Sequence, residues 1–191
     1  LPMDPVPKHV QSKATEIPID NMTEAHMGLG VACGRRNDGQ ILCWGDNTLG
    51  ALGQGTPDAT PHRRAIEVPA LKAVQLDVHG QTACVITAER LICWGDGQYG
   101  LLDSLGDPSC GNKGCRALGY AIPNMMPVRE LSIGPGSIAT IKSDLSVWMW
   151  GRNDSAELGL PSSNAANVAC VGGASVCVPE PKALAGTPPL D

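Results

Sequence analysis

Eight cysteines stand in this 191-residue chain as four close pairs: Cys33 with Cys43, Cys84 with Cys93, Cys110 with Cys115 and Cys170 with Cys177. Thiols can hold a metal, exchange electrons or form bridges. A metal site needs thiolates and histidines at a spacing such as C-x2-C, and a redox dithiol needs C-x-x-C. Neither pattern occurs, and His9, His26, His62 and His79 are scattered like ordinary surface or turn residues. Bridging is the remaining chemistry, and spacing tests it. If Ala88-Glu89 is a two-residue turn, Cys84 faces Cys93 at a non-hydrogen-bonded site, where Cα atoms approach to about 4.5 Å, within reach of a disulfide. A three-residue turn Asn37-Asp38-Gly39, with its glycine left-handed, sets Cys33 opposite Cys43. A third similar stretch lacks both cysteines together. Its facing positions are expected at Thr140 and Met149, with the turn centred between Asp144 and Leu145. Cysteines that come and go in pairs behave as bonded pairs, which implies an oxidising compartment.

Acidic residues Asp46, Asp96 and Glu157 recur near Trp-Gly steps and form a nominal carboxylate set, but turn formation is the commoner role of Asp at such positions. There is no G-x-S-x-G elbow, no phosphate-cradling loop and no metal set, so neither catalysis nor a cofactor is expected. The chain has 14 basic and 19 acidic side chains, a net charge of −5. Its only dense basic spots, Arg35-Arg36 and His62-Arg63-Arg64, read as solvated loop charges, and phosphate-backbone binding needs more clustering than that. Nucleic acid is therefore excluded as a partner. No apolar run approaches the roughly 18 residues of a membrane span. The opening LPMDPVPKHV lacks a charged region followed by an apolar one, so any signal peptide is expected to have been removed. Asn21-Met-Thr23 and Asn153-Asp-Ser155 are candidate glycosylation sequons in a eukaryotic source.

The elements that position these residues are announced by Trp44-Gly45, Trp94-Gly95 and Trp150-Gly151, spaced by 50 (94 minus 44) and 56 (150 minus 94) residues. Each closes two apolar runs joined by a polar turn. A period near 50 in an all-β pattern indicates a propeller-like array, whose units bury their apolar faces only against one another. Phe is absent, and Trp44, Trp94, Trp148 and Trp150 all lie within the units, so the large rings are expected to pack between units. The organisation reads as a Pro-rich arm or edge strand over 1–22, three units over 23–178 (about 23–60, 65–123 and 124–178) and a Pro-rich tail over 179–191. Residues 56–64 read as a plain polar loop. The loops 103–123 and 161–178 carry the small rings Cys110–Cys115 and Cys170–Cys177 and are expected on one face. Stiff loops lose less entropy on binding.

The segment Leu42-Cys-Trp-Gly-Asp-Asn-Thr-Leu-Gly-Ala-Leu-Gly-Gln-Gly55 resembles the repeat of the regulator of chromosome condensation family, with its W-G-x-N-x-x-G-Q-L-G-type signature. The second unit keeps Trp94, Gly95, Gly100 and Leu102 but has Gly97 and Asp103 in place of the Asn and final Gly. The third keeps Trp150, Gly151, Asn153, Leu158 and Gly159 but has Ala156 for Gly. The resemblance covers about residues 23–160 and implies a β-propeller of four-stranded blades, usually seven. The Cys-Trp-Gly step is similar to that of secreted bacterial repeat proteins and of some plant receptor kinase ectodomains. The expected fold is all-β: a propeller-like array of about three four-stranded blades, as an incomplete ring or an arc completed by another chain. The expected function is a secreted or surface-exposed protein-binding module, in the periplasm, outside the cell or on its surface, presenting disulfide-stapled loops. The alternative is a constitutive structural or accessory subunit of a larger extracellular or envelope complex. The expected partner is another protein or further copies of the chain, because an uncovered sheet edge invites association.

Overall fold

A computed structural model describes residues 19–102, 110, 114–161, 164–170 and 175–184. Most of the 1–22 arm and of the 179–191 tail lies outside the described residues. Strands dominate the rest, and all their pairings are antiparallel. The first blade contains β1 (Met22–Met27), β2 (Val31–Arg36), β3 (Gln40–Asn47) and the first part of β4 (Asp58–His79). The second contains the rest of β4, then β5 (Thr82–Thr87), β6 (Leu91–Asp96) and β7 (Cys115–Ala121). The third contains β8 (Val128–Ile133), β9 (Ser137–Lys142), β10 (Val147–Arg152) and β12 (Val176–Ala183), with the two-residue β11 (Val168–Ala169) on its edge.

No blade encloses a core alone, because each sheet has two faces and, among the described residues, no α-helix covers either. One apolar cluster joins Ile41, Leu52 and Val68 of the first blade to Leu76, Val85 and Trp94 of the second. Another joins Leu91 and Leu101 of the second blade to Leu131, Ile138 and Trp150 of the third. The core is thus two dry seams between stacked sheets, which is how repeat arrays gain stability.

Two of the three hairpin registers match their expectation. Cys33 pairs with Cys43 and Cys84 with Cys93, with Cα atoms 4.1 and 4.0 Å apart, closer than the roughly 5.5 Å of a hydrogen-bonded pair. The third differs by one residue. Thr140 faces Trp148, and Met149 faces Ala139. The cause is a three-residue turn in which Leu145, at φ +66°, takes the left-handed position that Gly39 holds at φ +85° in the first blade. Ala139 and Met149 therefore stand where the other blades have cysteines.

The strand β4 also crosses the expected boundaries. It pairs with β3 as far as Lys72 and with β5 from Ala73, so the blades meet at 72/73 rather than in a loop over 56–64 followed by a unit opening at Ala65. Ala70, at φ +56°, lies just before the crossover. Over Asp58–Lys72 only Val68 is buried, which left no alternation to read. The strands β7, with Cys115 and Ala117 buried, and β12, with Cys177 and Val178 buried, fall in stretches read as loop and tail.

Candidate binding surface

Each blade is built inner strand, hairpin, outer strand. The bends at Gly30, Gly80 and Gly136 and the loops after the Trp-Gly steps therefore share one end of the arc, while the turns 37–39, 88–89 and 143–145 lie at the other. Gly45, Gly95 and Gly151, at φ +110°, +95° and +106°, tie the first end together. A Cβ on any of them would run into the carbonyl of Gly30, Gln81 or Gly136. Those carbonyls accept the N–H of Asp46 (2.8 Å), Asp96 (3.0 Å) and Arg152 (2.7 Å).

The tryptophans divide into two groups. Trp94 and Trp150 are buried, and their indole N–H groups donate to the Ala51 and Leu101 carbonyls of the preceding blade, each at 2.9 Å. Trp44 and Trp148 are only half-buried. Trp148 lies under the Lys142 ammonium at 5.0 Å, donates to Ser146 Oγ and, with Tyr120 and Pro179, lines a cavity of about 540 Å³ between the second and third blades.

Buried asparagines organise two of the Trp-Gly loops. Asn47 Oδ1 accepts from Leu52 N–H while Nδ2 donates to the Thr56 carbonyl and Asp58. Asn153 Oδ1 accepts from Leu158 N–H while Nδ2 donates to the Leu160 carbonyl and Asn167. Asn153 is 2% exposed, so a glycan on its Nδ2 would remove one of the two hydrogens that the amide donates and could not be housed. The sequon at Asn153 is not an available acceptor in this fold, whereas Asn21 is exposed. The second blade has Gly97 instead, and a Cβ there would run into the Gly114 carbonyl. The adjacent Cys110–Cys115 ring (Cα atoms 5.7 Å apart) holds the loop where the asparagine is missing. The Cys170–Cys177 ring (5.1 Å) adds to the clamp of the third blade, where Asn153 N–H donates to the Val176 carbonyl.

The carboxylates recurring near these loops make turns. Asp46 accepts from Thr48 N–H (2.8 Å), Asp96 from Gln98 N–H (2.9 Å) and Glu157 from Ser155 N–H (2.7 Å). Asp46 also accepts from Gln81 of the next blade. Burial pushes the Asp96 carboxyl up from its ordinary value. The Val176 N–H and the Arg152 guanidinium hold Asp154 below its own. Among the described residues, no group of three or more His, Cys, Asp or Glu is placed to hold a metal, and no helix is long and apolar enough to cross a membrane.

The sequence motif could not show two further contacts at this end. Arg152 stacks on Tyr99 at 5.6 Å across the second and third blades, and Gly50 meets Ala117 of the neighbouring outer strand. Both arise only from blade stacking.

No family model matches the chain. It is 29% identical over 136 residues to the human E3 ubiquitin-protein ligase HERC2, covering 69% of this chain and 3% of that protein. It is 30% identical over 128 residues to the mitochondrial RCC1 domain-containing protein RUG3 of Arabidopsis thaliana, covering 65% of this chain and 27% of that protein. The chain therefore spans only a small part of these relatives. Among solved structures, yeast RCC1 (Prp20) bound to Kap60 superposes with a TM-score of 0.69 at 18% identity, over 87% of this chain and 38% of that one. Human WBSCR16 superposes with a TM-score of 0.62 at 16% identity, over 76% and 39%. With the Trp-Gly repeats, the blade stacking and these likenesses together, the chain has repeats similar to those of the regulator of chromosome condensation proteins and the fold of a three-bladed arc of their β-propeller.

Proposed function

We propose that the chain is a protein-binding module that works in an oxidising, extracytoplasmic compartment and binds through the end of the arc bearing the Trp-Gly loops. One observation carries this reading: three equivalent loops converge on that end, and the two longer ones are each closed by a local disulfide. A disulfide ring removes conformations from an unbound loop, so less ordering entropy is lost on binding. Fold neighbours support the class of function, two of them being yeast RCC1 bound to Kap60 and Prp20p of Saccharomyces cerevisiae, with its binding to Gsp1p and histones. Four disulfides support the compartment. Cross-linking the oxidised chain in its native extracellular fraction tests the surface. Cross-links from 46–55, 96–115 and 152–177 are expected, and cross-links confined to the turns 37–39, 88–89 and 143–145 would reject it. Intact mass from the native source, with and without reductant, tests the compartment: the two values should differ by eight hydrogens, and equal values would place the chain in a reducing one.

A second reading, a constitutive subunit of a larger extracellular or envelope complex, is favoured by Met27 and Leu29, which are 80% and 75% exposed on the first blade. Native mass separates the two readings, because a subunit keeps its partner in fixed stoichiometry on dilution and a binder releases it.

A further inference from the structure

The seam between the second and third blades is not filled as the first seam is. Strand pairing sets Ile66 opposite Cys43 and Tyr120 opposite Cys93, and Ile92 and Trp148 each stand two residues before a buried tryptophan. Tyr120 and Trp148 thus hold the places that isoleucines hold in the first seam. Ile66 and Ile92 pack on the first apolar cluster, Tyr120 and Trp148 on the second. The hollow beside Ile92 measures about 310 Å³ and has neither an aromatic ring nor a proline in its walls. Beside Trp148 the cavity is about 540 Å³, with Tyr120, Pro179 and Pro181 around it. The larger side chains leave more open space, because both rings stay half-buried at the walls. Pro179 is pressed onto the second blade, where a Cβ at Gly100 would lie 2.9 Å from its Cα, so each blade supplies a wall. The volume falls in the range of small-molecule sites, about 300 to 1,000 Å³.

Charge around the cavity selects the ligand. The Tyr120 ring carries the Arg116 guanidinium at 4.9 Å, and the Trp148 ring carries the Lys142 ammonium at 5.0 Å. A ring that already attracts one cation offers less to a second, and a ligand cation would meet like charge besides. Lys142 has the opposite need. Its Nζ donates to the Asn124 carbonyl at 3.4 Å, and Asn124 lines the cavity with Trp148, so the ammonium stands between two lining residues. Among the described residues no carboxylate lies within ion-pair distance of it. The neighbouring Asp144 accepts from Ser146 N–H and Oγ. Glu180, a carboxylate in the cavity wall, pairs with Lys182 at 3.5 Å.

We propose that this cavity is a binding site for a small molecule that joins a flat apolar body to one carboxylate, the body against Tyr120, Trp148, Pro179 and Pro181 and the carboxylate on the Lys142 ammonium. The site lies within a seam, not at the loop end, and stands apart from the binding mode proposed above.

Naphthylacetate is a probe of that class, and naphthylethanol and naphthylethylamine are its neutral and cationic counterparts. Calorimetric titration of the oxidised chain at neutral pH should show saturable binding of the acid at least roughly tenfold tighter than of the amine, a factor that corresponds to about 1.4 kcal/mol. Lys142→Gln should weaken the acid roughly tenfold and leave the alcohol unchanged, since a bond between charged groups is lost while the apolar walls remain. A chain with Tyr120→Ile and Trp148→Ile, which carries the residues of the first seam, should bind neither, with a cooperative thermal transition reporting that it is folded. No saturable binding of the acid, an amine that binds as tightly as the acid, or a Lys142→Gln change that moves acid and alcohol alike or moves neither overturns the proposal. So does a folded double-isoleucine chain that binds the acid as wild type does.

Discussion

Leu145 and Asp96 are held in states that cost stability. Leu145 is 66% exposed and left-handed in a turn where the first blade uses Gly39. A non-glycine residue in that region costs roughly 1–3 kcal/mol, against up to about 1 kcal/mol for the extra freedom glycine has when unfolded. Leu145→Gly is therefore expected to stabilise the chain by about 1 kcal/mol, read as a higher midpoint of thermal unfolding. Asp96 is the second case. Its carboxyl is raised by burial, opposed only by the Gln98 N–H, so its stabilising protonated form is fully present below the unfolded value of 3.8 and is lost as pH rises through the folded one. Asp96→Asn keeps an acceptor for Gln98 and removes the charge. It should raise the melting temperature at pH 7, with the gain vanishing below pH 3.8. No gain at pH 7 would show that solvent reaches the carboxylate.

At the scale of elements, the Trp-Gly loops are built in three ways for one geometry: a buried Asn47, a Gly97 closed by a disulfide ring, and a buried Asn153 with a ring besides. Removing the Asn153 amide leaves the Leu158 N–H without its acceptor and the Leu160 carbonyl without its donor. A buried group left unsatisfied costs roughly 1–3 kcal/mol, so Asn153→Ala should lose about 2–4 kcal/mol in denaturant unfolding. A substitution as mild as one at an exposed site would mean that water replaces the amide. The seams between blades lead to a parallel expectation. Trp94→Ala should cost about 3–5 kcal/mol, the usual range for a buried large aromatic, whereas Trp44→Ala should cost under half as much because that ring is only half-buried.

For the whole molecule, three small sheets stacked along two seams need covalent help. The Cys33–Cys43 and Cys84–Cys93 bridges each close a short loop, worth about 2–4 kcal/mol. Replacing Cys33 and Cys43 together by Ala should cost that much in unfolding free energy. Four other carboxylates are shifted in the opposite direction from Asp96. Asp38, Asp58, Asp144 and Asp154 are all held below 3.8 by the hydrogen bonds they accept and by nearby cations. Their stabilisation is present above the unfolded value and is lost as pH falls through the lower folded ones. Unfolding should therefore become easier below pH 3.8, and a flat profile there would show that these surface contacts are screened.

Much of this molecule is legible in the residues alone. Trp-Gly spacing specifies blades, and the separation of Cys84 from Cys93 across a two-residue turn specifies their pairing, because a hairpin leaves facing positions no freedom. Local geometry carries both, so a single stretch of chain suffices. The register of the third hairpin was hidden because Leu145 does the work of a glycine, the outer strand Asp58–Lys72 because only Val68 of it is buried, and Val176–Ala183 because its buried residues, Cys177 and Val178, are adjacent rather than alternating. Which tryptophans are buried, why Gly50 and Gly100 bear no side chain, and why Asn153 cannot carry a glycan are decided by contacts between blades. Those contacts join residues about 50 positions apart, and only stacking of the sheets brings them together.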